Sequence, residues 1–150
     1  MPDSNTPTPG EITCMAGGGV AIIASFLDFL GGEGFGGRSA WSSGGLFPLG
    51  LLIALFSLAV AVQVALARFA NMRGEPRFAG LTWKQVNLMF GFFAVVLTIA
   101  WLIVDIAPDK KIGYWGMAIG AIAVFVGTIL MLKEDTSTAP GPPPSAPPAA

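Results

Sequence analysis

The sequence contains no histidine, and its one cysteine is Cys14. Without histidine the usual zinc sites and the most common general base are missing, and a single thiol cannot form an intramolecular disulfide. Charge is also scarce: 11% of the residues are Asp, Glu, Lys or Arg, against about 25% in ordinary soluble domains. Eight basic and nine acidic residues leave a net charge of −1, so there is no field to gather nucleic acid and no nucleic-acid partner is expected. No motif calls for a cofactor. Gly32-Glu-Gly-Phe-Gly-Gly37 matches G-x-G-x-x-G, but no strand-to-helix setting surrounds it, and no acid occurs between Glu33 and Glu75.

Apolar residues take up the space that charge leaves. They make up 53% of the chain, and the mean hydropathy is +0.70. The longest uncharged run, Leu46 to Ala67, is closed by Arg68. As a helix it is roughly 33 Å long, close to the hydrocarbon thickness of a bilayer. Val86 to Val104 lies between Lys84 and Asp105, and Ile112 to Leu132 between Lys111 and Lys133. A weaker run, about Thr13 to Leu30, is interrupted by Gly17, Gly18 and Gly19 and ends near Asp28. The expected fold is therefore an all-α membrane protein. It has four transmembrane helices in an antiparallel bundle (about 13–30, 46–67, 85–104 and 112–132, within a domain 13–133), a disordered N-terminal tail (1–12) and a disordered proline-rich tail (134–150). In that tail, six of the last eleven residues are proline. Trp41, Trp83, Trp101, Tyr114 and Trp115 lie near span ends, where an aromatic belt would place them.

Orientation follows from the basic residues. Arg68, Arg73, Arg77 and Lys84 form a basic loop on the side of the termini, and Lys133 joins them; Arg38, Lys110 and Lys111 are opposite. Five against three places both termini in the cytoplasm of a multi-pass cell-membrane protein. The basic loop is suited to anionic inner-leaflet lipid, and the bilayer is the one certain partner of such a chain.

Small residues recur every three or four positions in each span. Gly113, Gly116, Gly120 and Gly127 line the fourth, with Gly17, Ala21, Ala24 and Asp28 in the first, Gly50, Ala54, Ser57 and Ala61 in the second and Asn87, Gly91, Ala94 and Thr98 in the third. Such seams let helices approach closely in lipid. The fourth seam serves either the bundle itself or a docked membrane-protein partner or second copy. Gln63 and Asn87, on adjacent spans, are placed to hydrogen-bond to each other. Asp28 and Asp105 close the first and third spans and are the candidate polar or ion site. The leading expectation is a non-enzymatic scaffold, accessory or assembly subunit. The alternative is a small transporter or channel component with Asp28 and Asp105 lining a polar path.

Phe26-Leu-Asp-Phe-Leu30, the glycine loop with Ser39-Ala40-Trp41, and Leu46-Phe-Pro-Leu49 together resemble a loose group of uncharacterised actinobacterial four-span integral membrane proteins. Members of that group typically end the first span in a Phe-Leu-Pro-Trp-like turn and carry Ser-Ala-Trp in the outer loop. This chain has Asp28 and Phe29 where the group has Pro and Trp. The resemblance implies a plasma-membrane protein of a high-GC Gram-positive organism and brings no activity with it.

Overall fold

The computed structural model describes residues 6–31, 38–42, 47–69, 77–78, 80–103 and 109–138. Helix α1 (Pro9–Ser25) opens on a capping box. The Thr8 hydroxyl accepts from the Glu11 backbone N–H, Glu11 Oε2 accepts from the Thr8 N–H at 2.8 Å, and Pro9 occupies the first turn. After Ser25 the chain turns through Phe26 and Leu27 into strand β1 (Asp28–Gly31). Strand β2 (Arg38–Ser39) leads to helix α2 (Phe47–Phe69). The short hairpin of β3 (Arg77–Phe78) and β4 (Leu81–Thr82) turns at Gly80, whose φ of 82° favours glycine. A second reciprocal cap, between Thr82 and Gln85, starts helix α3 (Trp83–Ile103). Strand β5 (Asp109–Lys110) and helix α4 (Ile112–Thr138) complete the order.

The four helices form an up-and-down ring. α1 packs on α4 and α2, α3 packs on α2 and α4, and α2 meets α4 across the centre. Strand β1 is the middle of a three-stranded antiparallel sheet ordered β2-β1-β5, with Leu30 opposite both Arg38 and Lys110. That sheet joins the α1–α2 and α3–α4 connections, so both lie at one end of the bundle. The β3–β4 hairpin, the start of α1 and the end of α4 lie at the other.

Three helices are long and apolar enough to cross a membrane: Leu49–Phe69, Trp83–Ile103 and Ile112–Glu134, with mean hydropathies of 2.5, 2.3 and 2.2. Their outer faces carry large apolar side chains. Leu55 and Leu66 on α2, Phe92 and Ile99 on α3, and Ile119 and Ile122 on α4 are all at least 40% exposed, which marks a lipid-facing surface.

The first apolar run departs from the expected span 13–30. The helix begins earlier, at Pro9, because the Thr8–Glu11 cap draws Pro9 to Ile12 into it. It ends earlier, at Ser25, because Asp28 to Gly31 pair with two other strands. At 17 residues, α1 spans about 25 Å and is shorter than the other three. α4 continues past Leu132 to Thr138, into the stretch read as tail. Residues 1–5 and 139–150, read as tail, lie outside the described residues.

Candidate functional site

At the sheet end, β1 aims Phe29 into the bundle. Its ring is fully buried, edge-on to Trp101 (centroids 5.4 Å apart) and to Tyr114 (5.6 Å). α2 makes room with Gly50, where a Cβ would stand 3.1 Å from the Phe29 ring. The Tyr114 hydroxyl donates to the Thr98 carbonyl at 2.9 Å, joining α4 to α3. Outside this plug the Trp41 Nε1–H donates to Ser25 Oγ at 2.9 Å and its ring stacks on Phe26 at 5.2 Å. The Ala40 N–H donates to the Ser25 carbonyl and the Lys111 N–H to the Phe29 carbonyl, so the cap is stitched to both α1 and α4.

This arrangement corrects one expectation and places half of another. Trp101 and Tyr114 are buried around Phe29 and do not belong to an aromatic belt, whereas Trp41, Trp83 and Trp115 are 45%, 37% and 51% exposed. Asp28 is exposed on the outside of the cap, because alternation along β1 sends Phe29 inward and its neighbour outward. Asp105, the other half of the expected polar or ion site, lies outside the described residues.

The Gly113, Gly116, Gly120 and Gly127 seam faces α1. A Cβ at Gly120 would lie 2.7 Å from the Gly17 carbonyl oxygen and the Ala21 nitrogen, and one at Gly127 would lie 2.6 Å from Cys14 Sγ. At Gly116 it would meet the Ala24 methyl at 2.7 Å, and at Gly113 the Asp28 carbonyl at 2.7 Å. The seam is therefore taken up inside the bundle along the length of α1. Cys14 is fully buried, and its thiol donates to the Val124 carbonyl at 3.5 Å.

At the other end, charged and polar groups tie the helix termini together. Glu134 on α4 accepts from the Gly10 N–H at 3.1 Å, and Arg68 Nε on α2 lies 4.0 Å from Glu11 Oε2 on α1. Among the basic-loop residues, Arg68 closes α2, Arg77 lies in β3 and Lys84 sits in the first turn of α3; Arg73 lies outside the described residues. Gln63 and Asn87 do not form the expected hydrogen bond. Gln63 Oε1 and Asn87 Oδ1 are both buried without a partner among the described residues, and any bond between the two amides would use one of those oxygens. Asn87 lies on the face of α3 that meets α4, in line with Gly91, which approaches Phe125. Among the described residues no three or more Cys, Asp or Glu side chains gather to hold a metal ion.

Three features of these ends lay beyond the sequence reading: the Phe29 plug, the Trp41–Ser25 bond and the Gly10–Glu134 tie. The Thr8-x-x-Glu11 cap has a local signature, but the other contacts join residues far apart in sequence. No protein-family model, curated protein or solved structure matches the chain.

Proposed function

We propose that this chain is a non-enzymatic, multi-pass protein of the cell membrane that serves as an accessory or assembly subunit, with both termini in the cytoplasm. The observation that carries the reading is how the two kinds of surface are used. Backbone-close glycine contacts and the Phe29 plug fill the interior, while the helices present large apolar side chains outward. A bundle built this way has its outer surface and its connections available for recognition, and its interior is filled by its own packing.

On this reading α1 is a fourth span. Its charge-free stretch runs from Ile12 to Leu27, bounded by Glu11 and Asp28, and Ile12 and Ile23 are exposed apolar residues like those of the longer helices. Its ends are level with theirs, through Arg68 at one end and the β1–β5 pairing at the other. A stretch of about 24 Å is accommodated by local thinning of the bilayer. The likeness to actinobacterial four-span proteins supports the same plasma-membrane placement.

Transport through a path lined by Asp28 gains no support from the position of that residue, since Asp28 faces out and Phe29 fills the mouth of the bundle. The two readings part in one experiment. Extraction from native membranes in mild detergent is expected to retain a membrane-protein partner at fixed stoichiometry, and Asp28→Asn is expected to retain it equally. A chain that purifies alone, conducts ions in liposomes and loses that flux in Asp28→Asn would overturn the proposal.

A further inference from the structure

Helix α1 is equipped differently from the other three. α2, α3 and α4 contain stretches of 21, 21 and 23 residues with the length and composition to cross a membrane. The uncharged stretch of α1, Ile12 to Leu27, is about 24 Å long as a helix, against a hydrocarbon core of about 30 Å. Gly17, Gly18 and Gly19 fall inside it and weaken it as a helix. Charge does not hold its start either: no Lys or Arg occurs among residues 1–37, so the positive-inside rule acts on the later spans.

What α1 does have is close contact with α4. A Cβ at Gly10 would meet Met131 at 2.8 Å, one at Gly17 the Ala123 methyl at 2.8 Å, and one at Gly120 the Gly17 carbonyl oxygen at 2.7 Å. Backbone contact of this kind holds helices together in lipid, where apolar side chains gain little by pairing. The Cys14 thiol donates to the Val124 carbonyl and the Gly10 N–H to Glu134, both on α4. The opposite face of α1 is open: Ile12, Val20 and Ile23 are exposed, and a Cβ at Gly19 meets nothing within 4 Å. The far end is fixed separately, because β1 pairs with β5 and the Lys111 N–H donates to the Phe29 carbonyl.

We infer that α1 is a conditional span, which crosses the bilayer only while docked on the glycine face of α4. Undocked, it pivots at the Phe26–Leu27 turn with β1 still held in the sheet. Its start then moves to the face where the sheet lies, and α2, α3 and α4 remain as the spans. This rests on the reading of α1 as a fourth span and adds what holds it there.

The test finds which face of sealed, right-side-out membrane vesicles the start of α1 occupies in the full chain. Cys14→Ala removes the native thiol, and a membrane-impermeant maleimide then reports on Thr6→Cys, with Lys133→Cys in a separate chain as the control for α4. Gly120→Leu drives a side chain into the Gly17 backbone and keeps α4 apolar. It is expected to turn Thr6→Cys from protected to labelled while Lys133→Cys stays protected. Adding Ala16→Leu and Gly19→Leu, at an exposed and an open position of α1, makes α1 more apolar away from α4 and is expected to restore the protection. Continued protection of Thr6→Cys in Gly120→Leu would overturn the inference, since α1 would then cross without docking. Labelling that the two added leucines leave unchanged would also overturn it, since a shortage of apolar surface would not be what α4 makes good. So would labelling of Lys133→Cys in Gly120→Leu, since α4 would not have kept its own crossing. Labelling of Thr6→Cys with position 120 unchanged would instead remove the fourth-span reading itself.

Discussion

Phe29 is the residue on which the sheet end turns. It is fully buried between Gly50, Trp101 and Tyr114, so Phe29→Ala leaves a ring-sized void at the mouth of the bundle. The expected loss is about 3–5 kcal/mol, measurable by denaturant titration in detergent micelles. Its neighbour Asp28 is exposed, and Asp28→Asn is expected to change stability by less than about 0.5 kcal/mol in the same assay. Trp41→Phe keeps the stack on Phe26 and removes the hydrogen bond to Ser25. A loss of about 0.5–1.5 kcal/mol follows, with quicker hydrogen exchange at the Ala40 amide as the local signature. The glycines of α1 are not equivalent either. Gly17 and Gly120 touch backbone to backbone, while a Cβ at Gly19 meets nothing within 4 Å. Gly120→Ala should cost about 1–3 kcal/mol through overpacking. Gly19→Ala should stabilise by about 0.5–1 kcal/mol through helix propensity. If both substitutions moved stability in the same direction, α1 would not lie on α4 as described.

At the scale of the element, the three long helices could be read from the sequence, with the end of α4 short by six residues, because an uncharged run of bilayer length has few alternatives. The run Leu46 to Ala67 became Phe47–Phe69, and the fourth began at Ile112 as expected. The first run was misplaced for a physical reason: its apolar character continues through Phe26 to Leu30, where the helix has already given way to a turn and then to strand β1, and hydropathy alone does not carry the difference. What makes Asp28–Gly31 a strand is pairing with Arg38–Ser39 and Asp109–Lys110, the second of them about half the chain away. The same limit explains the polar groups. The Thr8-x-x-Glu11 spacing is the local signature of a cap, which the expectation of a tail over 1–12 passed over, and that Glu134 would receive the Gly10 N–H could not be read locally. The small-residue seams of α1 and α4 were visible as seams, and that they face each other was not. An element-level prediction follows from the terminal tie. Glu134→Ala removes the acceptor for Gly10 and should raise hydrogen exchange in the first turn of α1 while leaving α2 and α3 unchanged.

For the whole molecule, what matters is that two connections share one end and the start of α1 and the end of α4 share the other. Three helices have the length and hydropathy to cross a membrane, and the β2-β1-β5 sheet holds the α1–α2 and α3–α4 connections together. If α1 also crosses, the polar cap with Arg38, Lys110 and Lys111 lies on one face, and Thr6, Arg68, Lys84 and Lys133 lie on the other. Membrane-impermeant thiol labelling in sealed vesicles of known orientation tests this most directly, with single cysteines introduced at exposed Thr6, Arg38, Lys111 and Lys133. The account predicts that Arg38→Cys and Lys111→Cys label from the extracytoplasmic face, and that Thr6→Cys and Lys133→Cys label after the vesicles are opened or inverted. Labelling of Thr6→Cys and Arg38→Cys from the same face would contradict it.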